Sequence, residues 1–126
     1  MFKSSEAFSG FSVDDLDVAR DFYGNTLGLE VDQEPMGTLA IKLGSGQHVM
    51  AYPKPNHEPA TFTILNFVVA DIDQAVDDLV AKGVTMERYD NPEMNQDERG
   101  IARDERGPAI AWFKDPAGNI LSVLEQ

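Results

Sequence analysis

Cysteine is absent from this chain of 126 residues, which excludes disulfides, thiolate nucleophiles and cysteine-held metals. Basic residues are scarce: ten Lys and Arg stand against 22 Asp and Glu, a formal net charge of −12. Nucleic acid requires clustered Lys and Arg to meet its phosphates, and an anionic membrane surface asks for the same, so both partners are disfavoured. No apolar run approaches the ~20 residues of a membrane span. Residues 1–6, Met-Phe-Lys-Ser-Ser-Glu, lack the apolar stretch of a secretory signal. The expectation is a soluble, cytoplasmic protein. Tryptophan occurs once and histidine twice. No Gly-rich phosphate cradle, Ser–His–Asp order or HExxH spacing is present.

The length suits one domain, 1–126, with a core of its own. Near its end, Ala111-Trp112-Phe113-Lys114 and Ile120-Leu121-Ser122-Val123-Leu124 flank Asp115-Pro116-Ala117-Gly118-Asn119. Proline fixes φ, aspartate bonds back to the following backbone, and Gly-Asn tolerates positive φ, so the stretch predicts a β-hairpin. Upstream, Phe11 and Val13 alternate with Gly10 and Ser12 as in a strand. Asp14 and Asp15 offer an N-cap, Leu16, Ala19, Tyr23 and Leu27 follow at helical spacing, and Gly28 stops the helix. Leu29–Gln33, Thr38–Leu43 and Gln47–Tyr52 are three further strand candidates. Pro53, Pro55 and Pro59 make residues 53–60 a stiff connector.

After the connector the pattern begins again. Thr61–Val69 predicts a strand, Asp71 caps a helix burying Ile72, Ala75, Val76 and Leu79, and Val84–Tyr89 predicts another strand. Residues 90–107, polar and charged, predict a long loop, and Pro108–Lys114 and Asn119–Leu124 close the chain. A shift of 56 residues lays Phe11, Val13 and Asp15 on Phe67, Val69 and Asp71; a shift of 72 lays Ile41, Lys42 and Gly46 on Phe113, Lys114 and Gly118. Two copies of one β-α-β-β-β unit are implied, about 6–52 and 61–124, the second enlarged by the charged loop. One helix covers one sheet face only, so the expected α+β fold pairs two tandem βαβββ modules into a curved, barrel-like mixed sheet. Helices lie outside it and a cleft inside. Strand alternation turns the even-numbered residues toward that cleft.

Phe11-Ser12-Val13-Asp14-Asp15-Leu16 through Phe22-Tyr23, then Leu27-Gly28-Leu29, resembles the strand–helix opening of the glyoxalase/bleomycin-resistance/dioxygenase proteins, the vicinal oxygen chelate (VOC) superfamily. Phe67-Val68-Val69-Ala70-Asp71-Ile72 and Phe113-Lys114-Asp115-Pro116-Ala117-Gly118-Asn119 are similar to its other recurring stretches. The resemblance implies one divalent ion held by His, Glu or Gln on inner strand faces, at positions occupied here by Phe8, Met50, Ile64 and Ser122. Phe and Ile offer no donor, and thioether and hydroxyl are poor ones, so no metal or other cofactor is expected. It also implies a two-fold homodimer.

Two functions remain open on the sequence. A binding protein would hold a small hydrophobic or aromatic molecule with Phe8, His48, Met50 and Tyr52 from the first module. Ile64, Asn66, Trp112 and Ser122 would serve from the second, and Arg103 from the loop. The plainer alternative makes Ile64 a core residue, His48 a hydrogen-bonded strand residue, and Arg99 and Arg103 members of a solvated, self-paired loop. An enzyme, a divergent glyoxalase-like lyase or dioxygenase, would use His48 with His57, Glu105 or another donor. Its catalytic residues are not identified by the sequence.

Overall fold

The structure, a computed structural model, describes residues 1–104 and 107–126. The chain divides between Glu58 and Pro59 into two units, inside the proline-rich connector.

The first unit runs β1 (Gly10–Val13), α1 (Leu16–Asp21), a π-helical turn (Phe22–Thr26), β2 (Glu30–Gln33), β3 (Leu39–Lys42) and β4 (His48–Pro53). Its sheet has the order β1-β4-β3-β2, with β1 and β4 parallel and the other pairs antiparallel. Asp15 caps α1, its carboxylate accepting the Asp17 and Val18 N–H groups. These are donors that the first helical turn cannot satisfy itself. Where the helix widens, Phe22 and Tyr23 are both buried, ring to ring at 5.2 Å, and Tyr23 meets Phe11 at 5.6 Å. Phe11 and Val13 of β1 and Val49 and Ala51 of β4, alternate residues of each strand, are buried. Each large apolar side chain so covered contributes ~1.5–3 kcal/mol.

The second unit runs β5 (Thr63–Val69), α2 (Ile72–Ala81), a short 3-10 turn (Pro92–Met94), β6 (Ile110–Lys114) and β7 (Ile120–Glu125). The sheet order is β5-β7-β6, with β5 and β7 parallel. Asp71 caps α2. Ile72, Val76 and Leu79 of that helix and Ala111, Phe113, Leu121 and Val123 of the sheet are buried.

The duplication is visible in the hydrogen bonding. Phe11 pairs Ala51 in the first unit and Phe67 pairs Val123 in the second; Ile41 pairs Val49 and Phe113 pairs Leu121. Each partner is displaced by the same two shifts that align the sequences. The caps agree as well, with φ −138° at both Asp15 and Asp71. So do the hairpin turns, where Gly46 and Gly118 hold φ of +89° and +85°.

Three expectations change. Val84–Tyr89 is not a strand: one bridge, Met86 with Phe113, joins it to β6. The side-chain amide of Gln96 takes the place of strand pairing, accepting the Tyr89 N–H at 2.8 Å and donating to the Glu87 and Gly100 carbonyls at 3.0 and 2.8 Å. Residues 90–104 are correspondingly folded rather than loose, with bridges Gln96–Ala102 and Ala102–Ile110 and with Ile101 fully buried. Gly100 is required there, because its φ is +85° and a Cβ would stand 2.8 Å from the Glu87 carbonyl oxygen. Phe8, finally, precedes β1 rather than lying within it. No helix among the described residues is long and apolar enough to cross a membrane.

Candidate functional site

Alternation along β1 and β4 buries Phe11, Val13, Val49 and Ala51 and leaves the even-numbered residues between and beside them on an open face. Gly10, Met50 and Ala40 stand in one row across β1, β4 and β3, and Ser12 and Tyr52 stand in another across β1 and β4. Beyond the row, the Phe8 ring lies on His48, centroids 4.8 Å apart and planes 31° apart. Phe8, His48 and Met50 line a hollow of about 520 Å³ together with Pro35, Met36 and Thr38. Leu39, Ala40 and Glu34 complete its lining. Such a volume, mostly apolar with a few polar groups, matches a small organic ligand.

The hairpin that closes one side has a specific origin. Glu34 N–H bonds to the Thr38 carbonyl at 2.8 Å, and Gly37 N–H bonds back to the Glu34 carbonyl at 3.0 Å with φ +82° at Gly37. That turn carries Met36 almost fully exposed beside the hollow. Pro35-Met36-Gly37 marks the turn in the sequence, but nothing there shows that the turn bends over Met50. Glu34, Met36 and Thr38 are therefore site residues that the sequence does not single out.

His57 meets Ser12: its Nδ1 and the serine Oγ share a hydrogen bond of 2.6 Å. The connector folds back to allow this, with Lys54 N–H on the Val13 carbonyl and His57 N–H on the Lys54 carbonyl, each 3.0 Å. Lys42, also on the open side, is held by Asp32 at 3.1 Å and Glu30 at 3.5 Å. The hydrogen bond to Asp32, then the charges of Asp32 and Glu30, raise its pKa above the ordinary lysine value.

In the second unit Trp112, Ser122 and Asn66 stand side by side across β6, β7 and β5. The Ser122 hydroxyl, fully buried, donates to Asn66 Oδ1 at 2.5 Å. Tyr89 packs edge-on against Trp112 at 5.7 Å. Burial, and secondarily the Glu87 charge, push the Tyr89 phenol above its ordinary pKa. Ile64 sits where the β5–β7 register shifts between Thr63 and Leu65. Arg103 lies elsewhere, its guanidinium on Asp73 of α2 at 2.9 Å, where Arg99 also bonds Asp73 and Asp77.

The structure thus brings Phe8, His48 and Met50 together, with Tyr52 on the same sheet face, and sets Asn66, Trp112 and Ser122 in a row. Arg103 is engaged with α2. Glu105 lies outside the described residues.

The chain belongs to the glyoxalase/bleomycin resistance protein/dioxygenase superfamily, whose model matches residues 8–123. Solved structures share the fold over nearly whole chains. A superfamily member from Sphaerobacter thermophilus is 25% identical, with 96% of this chain and 98% of that one covered and a TM-score of 0.71. A lactoylglutathione lyase from Agrobacterium tumefaciens is 23% identical, covering 98% and 95%, TM-score 0.69. TnmS3, an antibiotic binding protein from Streptomyces sp. CB03234, is also 23% identical, covering 97% of each chain, TM-score 0.69. No curated protein matches the chain.

The resemblance assigns the family's metal to Phe8, Met50, Ile64 and Ser122, and these residues do not fit such an ion. Two of them have no donor atom, Met50 presents a thioether to a cation that favours oxygen and nitrogen, and the Ser122 hydroxyl is committed to Asn66. Among the described residues, no three His, Asp or Glu side chains gather as a metal-binding group.

Proposed function

We propose that this protein is a metal-independent small-molecule-binding member of its superfamily, taking a hydrophobic or aromatic compound without transforming it. The observation that carries the reading is the apolar hollow of the first unit, lined by Met50 and by the tilted pair of Phe8 and His48 rings. Aromatic and thioether surfaces hold planar organic molecules through dispersion and offset stacking, and they ask for no ion. Trp112 beside Tyr89 offers a comparable surface in the second unit. We place the protein in the cytoplasm as a homodimer, which light scattering at micromolar concentration tests.

The experiment is metal analysis of the purified protein, followed by calorimetric titration of a library of aromatic compounds with and without chelator. The reading expects sub-stoichiometric metal and micromolar binding that is indifferent to chelator and weakened by Phe8→Ala. Stoichiometric iron, nickel, zinc or manganese would instead favour the divergent lyase or dioxygenase.

A further inference from the structure

We infer that the ligand of the first-unit hollow is a planar aromatic compound bearing a positive charge, and that Glu34 on the β2–β3 turn selects for that charge. This rests on the small-molecule reading above and specifies the chemistry of its ligand. Glu34 is the one formally charged residue among those lining the hollow.

Its neighbourhood has the same sign. Glu30, Asp32 and Glu34 alternate along β2 and its extension, and alternation turns all three toward one side of the strand. Asp32 lies opposite Ala40, which lines the hollow, and Glu30 lies opposite Lys42. Lys42, the lysine of this edge, is bonded to Asp32 and Glu30. Three carboxylates against one lysine leave this border negative, and Glu34 is the member that reaches the hollow.

The aromatic wall has the same preference. The face of a phenyl ring carries the negative part of its quadrupole and attracts a cation within ~6 Å. Phe8 is 58% exposed even with His48 against it, and it lines the hollow. An anionic compound would meet the Glu34 carboxylate and the ring quadrupole at once, both unfavourable.

A matched pair of three-ring probes tests this: 9-aminoacridine, a cation at neutral pH, and acridine-9-carboxylate, an anion. Titration is performed calorimetrically at ~0.15 M salt, where screening suppresses non-specific attraction to the acidic surface. A surface ion pair and a cation–π contact together correspond to about tenfold tighter binding of the cation. Glu34→Gln is expected to reduce that preference to about threefold or less, whereas Asp21→Asn, which removes an equal charge outside the hollow, leaves it intact. Phe8→Ala is expected to weaken the binding of both probes.

Equal affinities for the two probes, both weakened by Phe8→Ala, would overturn the charge selection while leaving the small-molecule reading standing. A cation preference lowered equally by Glu34→Gln and Asp21→Asn would also overturn it, assigning the preference to bulk charge. Binding of neither probe would overturn both readings.

Discussion

Asn119 is the residue whose removal has the most specific structural consequence. It is 2% exposed, at the turn between β6 and β7, beside Asp115 at 4%. Its Oδ1 accepts the Ala60 N–H at 3.1 Å, and its Nδ2 donates to Asp115 Oδ2 at 3.1 Å. Substitution by alanine keeps the turn's backbone bonds, Asp115 N–H to the Asn119 carbonyl and Gly118 N–H to the Asp115 carbonyl, both 2.9 Å. It removes these two side-chain bonds, so that a half-buried backbone N–H and a buried carboxylate each lose a partner. A neutral hydrogen bond contributes ~0.5–1.5 kcal/mol and one to a charged group ~1.5–3, so Asn119→Ala should cost about 2–4 kcal/mol. For a chain of this length ~1 kcal/mol corresponds to about 4 °C, and thermal unfolding followed by circular dichroism should fall by roughly 8–16 °C. Asn119→Asp sharpens the test. The new carboxyl preserves the acceptor for Ala60 but faces Asp115 with like charge, so at neutral pH the loss should exceed that of alanine. An alanine variant that melts within about 2 °C of the parent would show that the knot contributes nothing, and would refute the reasoning.

Gly118→Ala should destabilise by at least ~1 kcal/mol, since φ is +85° and the added Cβ would stand 2.9 Å from Pro59 Cγ; urea denaturation with an unchanged midpoint would contradict this. Ile101→Ala, at a side chain with no exposure, should cost ~2–5 kcal/mol. Arg99→Ala, which removes exposed ion pairs to Asp73 and Asp77, should cost under ~1 kcal/mol. A reversed order in thermal melts would mean that the charged pairs, not the buried isoleucine, hold the insertion. Tyr89 should ionise above 10.0, chiefly because of burial and secondarily because of Glu87. Ultraviolet difference titration against Tyr89→Phe measures it. A folded pKa raised above the unfolded one contributes stability below pH ~10 that is lost as the pH rises through the folded value. Ionisation at or below the ordinary tyrosine value would contradict the assignment.

What the sequence discloses of this fold is what repeats. The shift from Phe11 to Phe67 and the shift from Ile41 to Phe113 make a pairing in one unit imply its counterpart in the other, as Phe11–Ala51 and Phe67–Val123 do, because equivalent residues of duplicated units take equivalent partners. Alternation likewise separates Val49 and Ala51, which are buried, from His48, Met50 and Tyr52, which are not. What escapes is what departs from the repeat. Val84–Tyr89 has the composition of a strand, yet Gln96, distant by several residues and polar like its neighbours, satisfies the Tyr89 and Glu87 backbone groups that a strand would have paired. Gly100 alone betrays that close approach, and a lone glycine in a charged loop does not say against what it packs. The candidate site divides in the same way. His48 and Met50 follow from parity along β4, whereas Phe8, which lies ahead of β1, and Glu34 and Met36, which depend on which way a four-residue turn leans, are placed by tertiary structure with no periodicity behind it. The part of the hollow that His48 and Met50 supply therefore comes from a strand whose alternation the sequence shows, and the charged residue that would select its ligand comes from the turn between β2 and β3.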